Sequence, residues 1–265
     1  MTGLKENETS VILNGFRVEW NHPHDIPALL EVFVMDVYRL RNLKADDVVL
    51  DLGAGVGEFS LASSRIVGPN GFVVAVEPNP EDFKTLTANI KKNRISNILA
   101  LNNAFSDTND TFRLTFKGMD YTASGITYHD ILEILKERRR KAINVIKMDI
   151  EGAEITALRN LSPALQDVRL IAIELHGTDM EVQSILEPFG FVFSRLKKSQ
   201  YLSSSLKFAF RHPSAVLKLW RLFNESGENP GLLKIAKGVE ISASSDLSVG
   251  IYSKVPHHDS SSSLD

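Results

Sequence analysis

Residues 48–59 read VVLDLGAGVGEF, an apolar run that leads directly into three glycines at alternate positions. An apolar run of this length predicts a buried β-strand, and the glycines permit the positive φ angles of a tight turn before a helix. The first turn of such a helix presents free backbone N–H groups to a ligand. We expect a strand, a glycine turn and a helix here, with either a ligand bound at the turn or a tight strand–helix connection alone.

Short apolar runs and amphipathic stretches alternate along the middle of the chain. The apolar runs each end at a polar residue, and they are 72–76, 98–101, 143–148 and 170–173. Two segments between them carry apolar residues at helical spacing, 80–93 and 153–161. This alternation predicts an α/β fold with a mostly parallel, doubly wound sheet and helices on both faces, completed by final strands at 191–193 and 249–252.

The pattern divides the chain into an N-terminal extension, residues 1–44, and one main domain, residues 45–265. The extension carries a predicted helix at 25–40 that would pack on the sheet. The main domain contains a basic amphipathic insertion at about 203–240 and ends in the polar tail HHDSSSSLD at 257–265, for which we expect disorder.

The composition excludes several classes of protein. The 265 residues include no cysteine, which rules out disulfides, cysteine-ligated metal centres and a thiol nucleophile. The net charge of −3 argues against a nucleic-acid coat protein. No apolar run approaches the roughly 18 residues of a membrane span, and the first ten residues lack the apolar core of a signal peptide. We therefore expect a cytoplasmic protein with no transmembrane segment.

The glycine turn has the spacing Gly-x-Gly-x-Gly, one residue shorter than the dinucleotide-binding Gly-x-Gly-x-x-Gly. Asp51 directly before it would repel a pyrophosphate but would suit a cationic amino group. The segment therefore resembles motif I of S-adenosylmethionine-dependent methyltransferases. The residues predicted to contact the cofactor in this segment are Asp51, Gly53, Ala54, Gly55, Gly57 and Phe59.

Two further strand ends complete the predicted cofactor site. Glu77 follows the second strand, where a carboxylate can accept hydrogen bonds from both hydroxyls of a ribose, with Pro78 beside it. Asn103, Ala104 and Phe105 follow the third strand and would border an adenine ring. A carboxylate that only stabilises a helix N-terminus, and an ordinary turn, are the alternative interpretations of these two segments.

A second group of polar side chains follows the fourth and fifth strands. Asp149 and Glu151 come after one strand, and Glu174 and His176 come after the next. The predicted catalytic residues are Asp149, His176 and Glu174, because histidine can take a proton from an alcohol and a carboxylate can orient it or hold the substrate. Asp149 is also predicted to contact the cofactor. Alternatively, Asp149, Glu174 and His176 could bind magnesium or another hard cation, which would acidify a substrate hydroxyl. Glu151 could simply complement the N-terminus of the next helix.

The chain resembles the FkbM family of methyltransferases over residues 46–195, where five segments stand in that family's order and spacing: VVLDLGAGVGEFS, VVAVEPNP, NNAFSD, IKMDIEGAE and IELHG. The resemblance implies a Rossmann-like class I fold, S-adenosylmethionine as cofactor, and O-methylation of a hydroxyl on a small-molecule or sugar-containing acceptor. RNA or protein methylation and a non-catalytic S-adenosylmethionine-binding module are the alternatives. We expect no nucleic-acid partner, because the chain is acidic and the fourth strand lacks the asparagine–proline–proline–aromatic signature of many amino-nitrogen methyltransferases.

The predicted insertion at 203–240 concentrates basic charge, including Lys218 and Arg221. Trp220 and Phe223 would share one face of an amphipathic helix there. The segment could pack on its own domain or in a homodimer, cover the acceptor as a lid, or make weak contact with a membrane surface.

Overall fold

The computed structural model describes residues 10–22, 25–116, 118–195, 198–215, 217–218, 221 and 249–254. In chain order its strands are β1 (Ser10–Leu13), β2 (Phe16–Glu19), β3 (Val48–Leu52), β4 (Phe72–Val76), β5 (Ile98–Leu101), β6 (Asn103–Phe105), β7 (Thr111–Phe116), β8 (Met119–Ile126), β9 (Val145–Met148), β10 (Leu170–Glu174), β11 (Phe191–Arg195) and β12 (Val249–Lys254). Its α-helices are α1 (Asp25–Leu30), α2 (Glu58–Val67), α3 (Pro80–Lys92), α4 (Tyr128–Glu137), α5 (Glu154–Asn160), α6 (Asp179–Leu186) and α7 (Lys198–Arg211).

Within the described residues, the main sheet has the order β11, β12, β10, β9, β3, β4, β5. The five strands from β10 to β5 are parallel, and β12 runs antiparallel to both β10 and β11. Val49 packs in one apolar cluster with Phe59 of α2, whereas Leu50 packs in a second cluster with Ile131 of α4 and Leu158 of α5. Because successive strand residues point to opposite faces, helices cover both faces. The predicted mostly parallel, doubly wound α/β fold is confirmed.

The predicted strand at 98–101 is less buried than its sequence suggests. β3, β4 and β9 are buried along their whole length, but every residue of β5 is half-buried. β5 lies at the edge of the sheet, with β4 as its neighbour in the described residues. An apolar run therefore indicates a strand without indicating whether both of its edges are paired.

The order of the main sheet places β3 between β4 and β9, so that the chain winds outward from β3 in two directions. The carboxyl ends of parallel strands meet at one edge, and the point where the winding reverses leaves a crevice there. The glycine turn after β3 and the polar residues after β9 therefore adjoin the same crevice.

Residues 103–126 include a second sheet of three strands. β8 lies between β6, which is parallel to it, and β7, which is antiparallel. The sequence analysis predicts no strand at Asn103–Phe105, only an adenine-bordering segment or an ordinary turn, and the structure forms β6 there. Alternation of apolar and polar residues in TFRLTF of β7 is the period-two pattern typical of such a strand.

The helix expected at 25–40 is shorter in the structure. α1 ends at Leu30, and one π-helical turn follows at Glu31–Met35. The chain leaves helical geometry at Asp36 and Arg39, whose φ angles are 56° and 57°. The carboxylate of Asp36 accepts the N–H of Leu40 at 2.6 Å. This local hydrogen bond competes with continuation of the helix.

The N-terminal hairpin shares a core with the main sheet. β1 and β2 are joined by Asn14 and Gly15, both with positive φ (49° and 79°), as in a two-residue type I′ hairpin. The hairpin belongs to the same apolar cluster as Val49 of β3. The side chain of Asn89 in α3 bonds both the N–H and the carbonyl of Glu19, each at 2.9 Å. These contacts support an extension packed on the core, while its boundary at residue 44 stays a prediction.

Most of the predicted insertion at 203–240, including Trp220 and Phe223, lies outside the described residues, and so does the predicted tail at 257–265. Its described beginning is helical, because α7 runs into it from residue 198. Among the helices that the structure describes, none is both long and apolar enough to cross a membrane.

Candidate active site

A cavity of about 520 Å³ opens at the carboxyl edge of the main sheet. Its described wall includes eight residues with carboxyl side chains and no lysine or arginine. The eight are Asp25, Glu58, Glu77, Asp82, Asp107, Asp149, Glu151 and Glu174. A wall of this composition attracts a cationic ligand.

The turn after β3 packs so tightly that only glycine fits its first position. Gly53 has a φ of 73°, and a Cβ there would lie 1.8 Å from the carbonyl oxygen of Asp149. The N–H groups of Gly53 and Ala54 donate to the last carbonyl of β4 at 3.0 and 3.1 Å. Of the predicted contacts in this turn, Gly53 and Gly55 line the cavity, whereas Ala54 and Gly57 are not on its described wall.

Glu77 lies on the cavity wall, where the sequence predicts a ribose contact, and it is buried. Its Oε1 accepts the N–H of Asn79 and its Oε2 accepts the N–H of Gly55, both at 2.7 Å. Burial raises the pKa of Glu77 to about 7, although these two hydrogen bonds oppose the shift. Each oxygen keeps a second lone pair, so the carboxylate can still accept a ligand hydroxyl. Pro78 also lines the cavity.

The predicted adenine contacts divide into two groups. Ala104 and Phe105 line the cavity, together with Phe112 and Leu114 of β7, which add apolar surface. Asn103 is not on the described wall, and its Nδ2 donates to two carbonyl oxygens of β8 at 3.2 and 3.3 Å. The pairing of β6 with β8 therefore occupies the Asn103 side chain and leaves the apolar residues at the cavity.

Asp51 is fully buried beneath the turn and is not on the described cavity wall. Its Oδ2 accepts the hydroxyl of Ser60 at 2.6 Å, and its Oδ1 lies 3.5 Å from Nζ of Lys147. Asp51 and Lys147 are register partners in β3 and β9. The lysine therefore takes the place that the sequence analysis assigned to a ligand's amino group. Phe59 is also buried, and its ring packs 5.8 Å from that of Tyr38.

Lys147 is a buried cation at the base of the site. Its Nζ donates to the carbonyl of Gly53 at 2.6 Å and lies 3.8 Å from Oδ2 of Asp149. Burial alone lowers the pKa of a lysine, but the carboxylates of Asp51 and Asp149 outweigh it and hold the pKa of Lys147 above its ordinary value. The charged ammonium thus links the glycine turn to two carboxylates. A lysine inside the apolar run at 143–148 was the sequence signal that could have identified it.

Asp149 and Glu174, two of the three predicted catalytic residues, line the cavity. The hydroxyl of Tyr38 donates to Oδ2 of Asp149 at 3.3 Å, across a chain separation of 111 residues. Burial raises the pKa of Glu31 to about 8, and the charges of Glu174 and Asp149 add to the shift. The N-terminal extension therefore contributes to this site: Asp25 and Ala28 line the cavity, and Tyr38 contacts Asp149. No local pattern in the sequence identifies these residues.

Glu58 opens α2 directly after the glycine turn and lines the cavity. It is buried, and its Oε2 has no hydrogen-bond partner in the part of the chain that the structure describes. Burial raises the pKa of Glu58 to about 8, opposed by the charge of Lys147. A buried carboxyl with a free oxygen suits contact with a cationic ligand. Its place at the start of the helix was the available sequence signal.

His176 is not on the described cavity wall. Its Nδ1 lies 2.7 Å from Oε1 of Glu154, and its Nε2 lies 3.3 Å from Oε2 of Glu151. Burial lowers the pKa of His176, but the hydrogen bond with Glu154 and the neighbouring carboxylates raise it above its ordinary value. An imidazole that faces two carboxylates is poorly placed to take a proton from an alcohol in the cavity, so the geometry favours Asp149 at the acceptor.

Donor atoms of Asp149, Glu151 and His176 lie within 4.8 Å of one another. The sequence predicts Asp149, Glu174 and His176 as possible magnesium ligands, and the structure brings Glu151 to this cluster in place of Glu174. Glu151 has a left-handed φ of 51°. Because the strand geometry ends before this residue, the i, i+2 spacing after β9 does not predict where its side chain points.

The model of the methyltransferase FkbM domain matches residues 51–203. Hexuronic acid methyltransferase AglP of Haloferax volcanii is 28% identical over 155 residues, which are 54% of this chain and 62% of that relative. Methyltransferase 1 of Beauveria bassiana is 24% identical over 196 residues, or 61% of this chain and 78% of the relative. The solved structure of precorrin-6y C5,15-methyltransferase from Geobacter metallireducens has 18% identity and a TM-score of 0.43, covering 60% of this chain and 70% of that one.

The family match supports S-adenosylmethionine as the methyl donor, and none of these relatives bears on magnesium. The resemblance inferred from the sequence motifs is confirmed, since the matched segment spans more than half of the 265 residues. The chain belongs to the FkbM methyltransferase domain family.

Proposed function

We propose that the protein transfers a methyl group from S-adenosylmethionine to a hydroxyl of a small-molecule or sugar-containing acceptor. The observation that carries this proposal is the acidic cavity, which has the glycine turn and Glu77 together with Asp149 and Glu174 on its wall. The name of the Haloferax volcanii relative, a hexuronic acid methyltransferase, supports a sugar-containing acceptor.

In this proposal three parts of the cofactor lie at the ends of three successive strands. Its methionine part lies at Gly53 and Gly55, its ribose at Glu77, and its adenine against Ala104 and Phe105. A purine needs apolar surface on its faces, which Phe105 and the neighbouring β7 side chains supply.

The charge of the cavity also fits this donor. S-adenosylmethionine carries positive charge on its sulfonium and on its amino group, and carboxylates attract both. Glu58 is our candidate partner for the amino group, because its Oε2 has no hydrogen-bond partner among the described residues. Asp51 is less suited, because Lys147 already lies 3.5 Å from it.

Methyl transfer forms a bond from the acceptor oxygen to the methyl carbon and breaks the methyl–sulfur bond, which leaves S-adenosylhomocysteine. The hydroxyl proton passes to a base, and the protein has to align the oxygen and exclude water. Asp149 is our candidate for holding or deprotonating the hydroxyl, because it lines the cavity and is positioned by Tyr38. Glu174 is the second carboxylate available to the acceptor.

Calorimetry with S-adenosylhomocysteine and with NAD tests which cofactor binds. Mass spectrometry that detects one added methyl group tests which acceptor is used. The acceptors to compare are neutral sugars, uronic acids, polyketide-type alcohols, RNA and protein. We expect S-adenosylhomocysteine to bind and a small-molecule hydroxyl to be methylated. Binding of NAD alone would overturn the cofactor. Methylation confined to RNA or protein would overturn the acceptor, and binding with no transfer to any of them would indicate a non-catalytic module.

A further inference from the structure

We propose that Asp149, Glu151 and His176 bind one divalent metal ion at the acceptor end of the cavity. The two carboxylates line the cavity, so an ion that they hold would face the acceptor. Its use in holding that acceptor rests on the proposed function, whereas the binding of the ion can be measured without any acceptor.

The fold brings the three side chains together through strand pairing. β9 and β10 are parallel neighbours, with Met148 opposite Ile173, so that Asp149 and His176 follow strands that end at the same edge. Nε2 of His176 and Oε2 of Glu151 are 3.3 Å apart. Two ligands at about 2.1 Å from one metal, at octahedral or tetrahedral angles, are separated by about 3.0 to 3.4 Å. The observed separation fits two ligands of one ion.

Glu154 provides the second, independent observation. It is fully buried, and its Oε1 lies 2.7 Å from Nδ1 of His176 and accepts the N–H of Gly152. A metal-binding histidine commonly donates its other N–H to such a carboxylate, which directs the free nitrogen to the metal. Oε2 of Glu154 has no hydrogen-bond partner among the described residues. A metal on His176 would place positive charge near this buried carboxylate.

A neutral imidazole cannot hydrogen-bond both glutamates when both are ionised. If Nδ1 of His176 donates to Glu154, Nε2 turns its lone pair toward a carboxylate oxygen of Glu151, which is repulsive. A metal ion bound to both atoms would remove this repulsion, and so would a proton on the imidazole or on one of the two glutamates. A metal titration distinguishes the first arrangement from the others.

The donor set indicates which ion would bind. One imidazole and two carboxylates suit Mn²⁺ or Zn²⁺ better than Mg²⁺, which prefers oxygen ligands alone. Three protein ligands leave coordination positions for oxygen atoms of an acceptor. An ion here would also offset part of the acidic wall, which otherwise repels an acceptor with a carboxylate of its own. Mn²⁺ is therefore our probe.

The test titrates Mn²⁺ into the full chain and follows free Mn²⁺ by electron paramagnetic resonance. We expect one ion per chain, and at least tenfold weaker binding in Glu151→Gln and in His176→Ala. Loss of an orienting carboxylate weakens metal binding by about 10- to 100-fold, so we expect this range for Glu154→Gln. Glu174→Gln is the matched control, because it removes the same charge from the same cavity but no donor atom of the cluster. In this variant Mn²⁺ binding should weaken less than threefold, well below the roughly tenfold effect of losing a ligand or its orienting group.

Two results would overturn the proposal. The first is that the wild-type protein takes up no Mn²⁺. The second is that Glu151→Gln and Glu174→Gln weaken Mn²⁺ binding equally, because the ion would then respond only to the overall charge of the cavity. Circular dichroism of each variant reports whether it has folded, and Glu151, which is exposed, tolerates substitution most readily. Calorimetry with S-adenosylhomocysteine on the same samples separates the two hypotheses. Cofactor binding without Mn²⁺ binding overturns the metal site alone, and loss of cofactor binding in the wild type overturns the proposed function.

Discussion

Glu77 is a single residue with two roles, one in holding the glycine turn and one in the proposed binding of the cofactor. Its two oxygens accept backbone N–H groups of Gly55 and Asn79 and thereby hold the glycine turn. The same oxygens are proposed to accept the ribose hydroxyls. Glutamine keeps the size of the side chain but replaces one acceptor oxygen with an NH₂ group, which would face a backbone N–H, so it weakens the support of the turn as well as the proposed cofactor contact.

Glu77→Gln should weaken S-adenosylhomocysteine binding about tenfold or more, because charge-assisted hydrogen bonds contribute roughly 1.5 to 3 kcal/mol. Isothermal calorimetry measures the affinity. Glu81→Gln serves as control, since Glu81 lies four residues further on and its side chain is 66% exposed. Unchanged affinity in a folded Glu77→Gln protein would falsify the ribose assignment and leave Glu77 as a support of the turn.

The buried carboxyl of Glu58 predicts that the ligand-free protein loses stability as the pH rises. The folded state raises the pKa of Glu58 from 4.5 to about 8, so it binds a proton more tightly than the unfolded chain does. This contribution to the free energy of unfolding is complete below about pH 4.5 and is lost as the pH rises through about 8, with an upper limit on the order of a few kcal/mol.

Urea denaturation between pH 4 and pH 9 tests this expectation, with the pH range set around the two pKa values. Wild-type stability should fall across the range, and Glu58→Gln should flatten the fall, because glutamine has no charge to bury. The slope will not vanish, since burial also raises the pKa of Glu31 and Glu77. Identical slopes in the two proteins would show that burial does not raise the pKa of Glu58.

Asp149→Asn should reduce turnover by about 100-fold or more while cofactor affinity stays within about threefold, because the change removes a base but keeps the shape of the side chain. Steady-state kinetics and calorimetry measure the two quantities. Glu187→Gln, a carboxyl substitution in a 3-10 turn away from the cavity wall, is the control for expression and handling. If Asp149→Asn retains full activity, the carboxylate is structural and the acceptor lies elsewhere in the cavity.

At the scale of elements, the glycine turn that follows β3 packs directly against the end of β9. Gly53 approaches the backbone of Asp149 so closely that a Cβ would lie 1.8 Å from its carbonyl oxygen. The N–H of the same residue, Asp149, donates to the carbonyl of Leu52 at 3.0 Å. The backbone of the glycine turn and the backbone of Asp149 are therefore in direct contact.

Gly53→Ala should destabilise the protein more than Gly190→Ala does. The two glycines have similar φ angles, 73° and 79°, but a Cβ at position 190 would meet nothing within 4 Å. The control therefore carries only backbone strain, about 1 to 2 kcal/mol, whereas Gly53→Ala adds a collision with the backbone. Urea denaturation compares the two variants. Equal losses of stability would contradict the close approach of β3 to β9.

At the scale of the whole molecule, the part of the basic segment that the structure describes points toward packing. Nζ of Lys218 donates to the carbonyl of Ser10 in β1 at 2.7 Å. None of the described residues between 203 and 221 lies on the cavity wall. The roles of lid, dimer contact and membrane contact stay predictions, because most of the segment lies outside the described residues.

Lys218→Glu should lower the melting temperature by a few degrees, because a hydrogen bond to the hairpin is lost and a charge is reversed beside it. Lys207→Glu in α7 is the matched control, since it makes the same charge change at an exposed position of the same segment. Differential scanning fluorimetry measures both. A raised acceptor KM in Lys218→Glu at unchanged melting temperature would instead favour a role of this segment at the acceptor.

The amino-acid sequence alone was enough to identify the strands of the main sheet and the order of the predicted site residues along the chain. Apolar runs closed by polar residues identified the strands of the parallel sheet, because burial on both faces leaves a local pattern. The glycine spacing located the turn, and the end of the apolar run at 72–76, which forms β4, located Glu77 as a site residue. These features depend on a few neighbouring residues, so they can be derived without tertiary contacts.

Which side chains contact one another follows from tertiary packing and not from the sequence pattern. Strand register places Lys147 opposite Asp51, packing of the extension brings Tyr38 to Asp149 across 111 residues, and the left-handed Glu151 replaces Glu174 beside His176. Each of these contacts depends on the relative position of segments distant in the chain, or on one backbone angle after a strand ends. Periodicity reports neither, because it records which face of an element is apolar and not what lies against it.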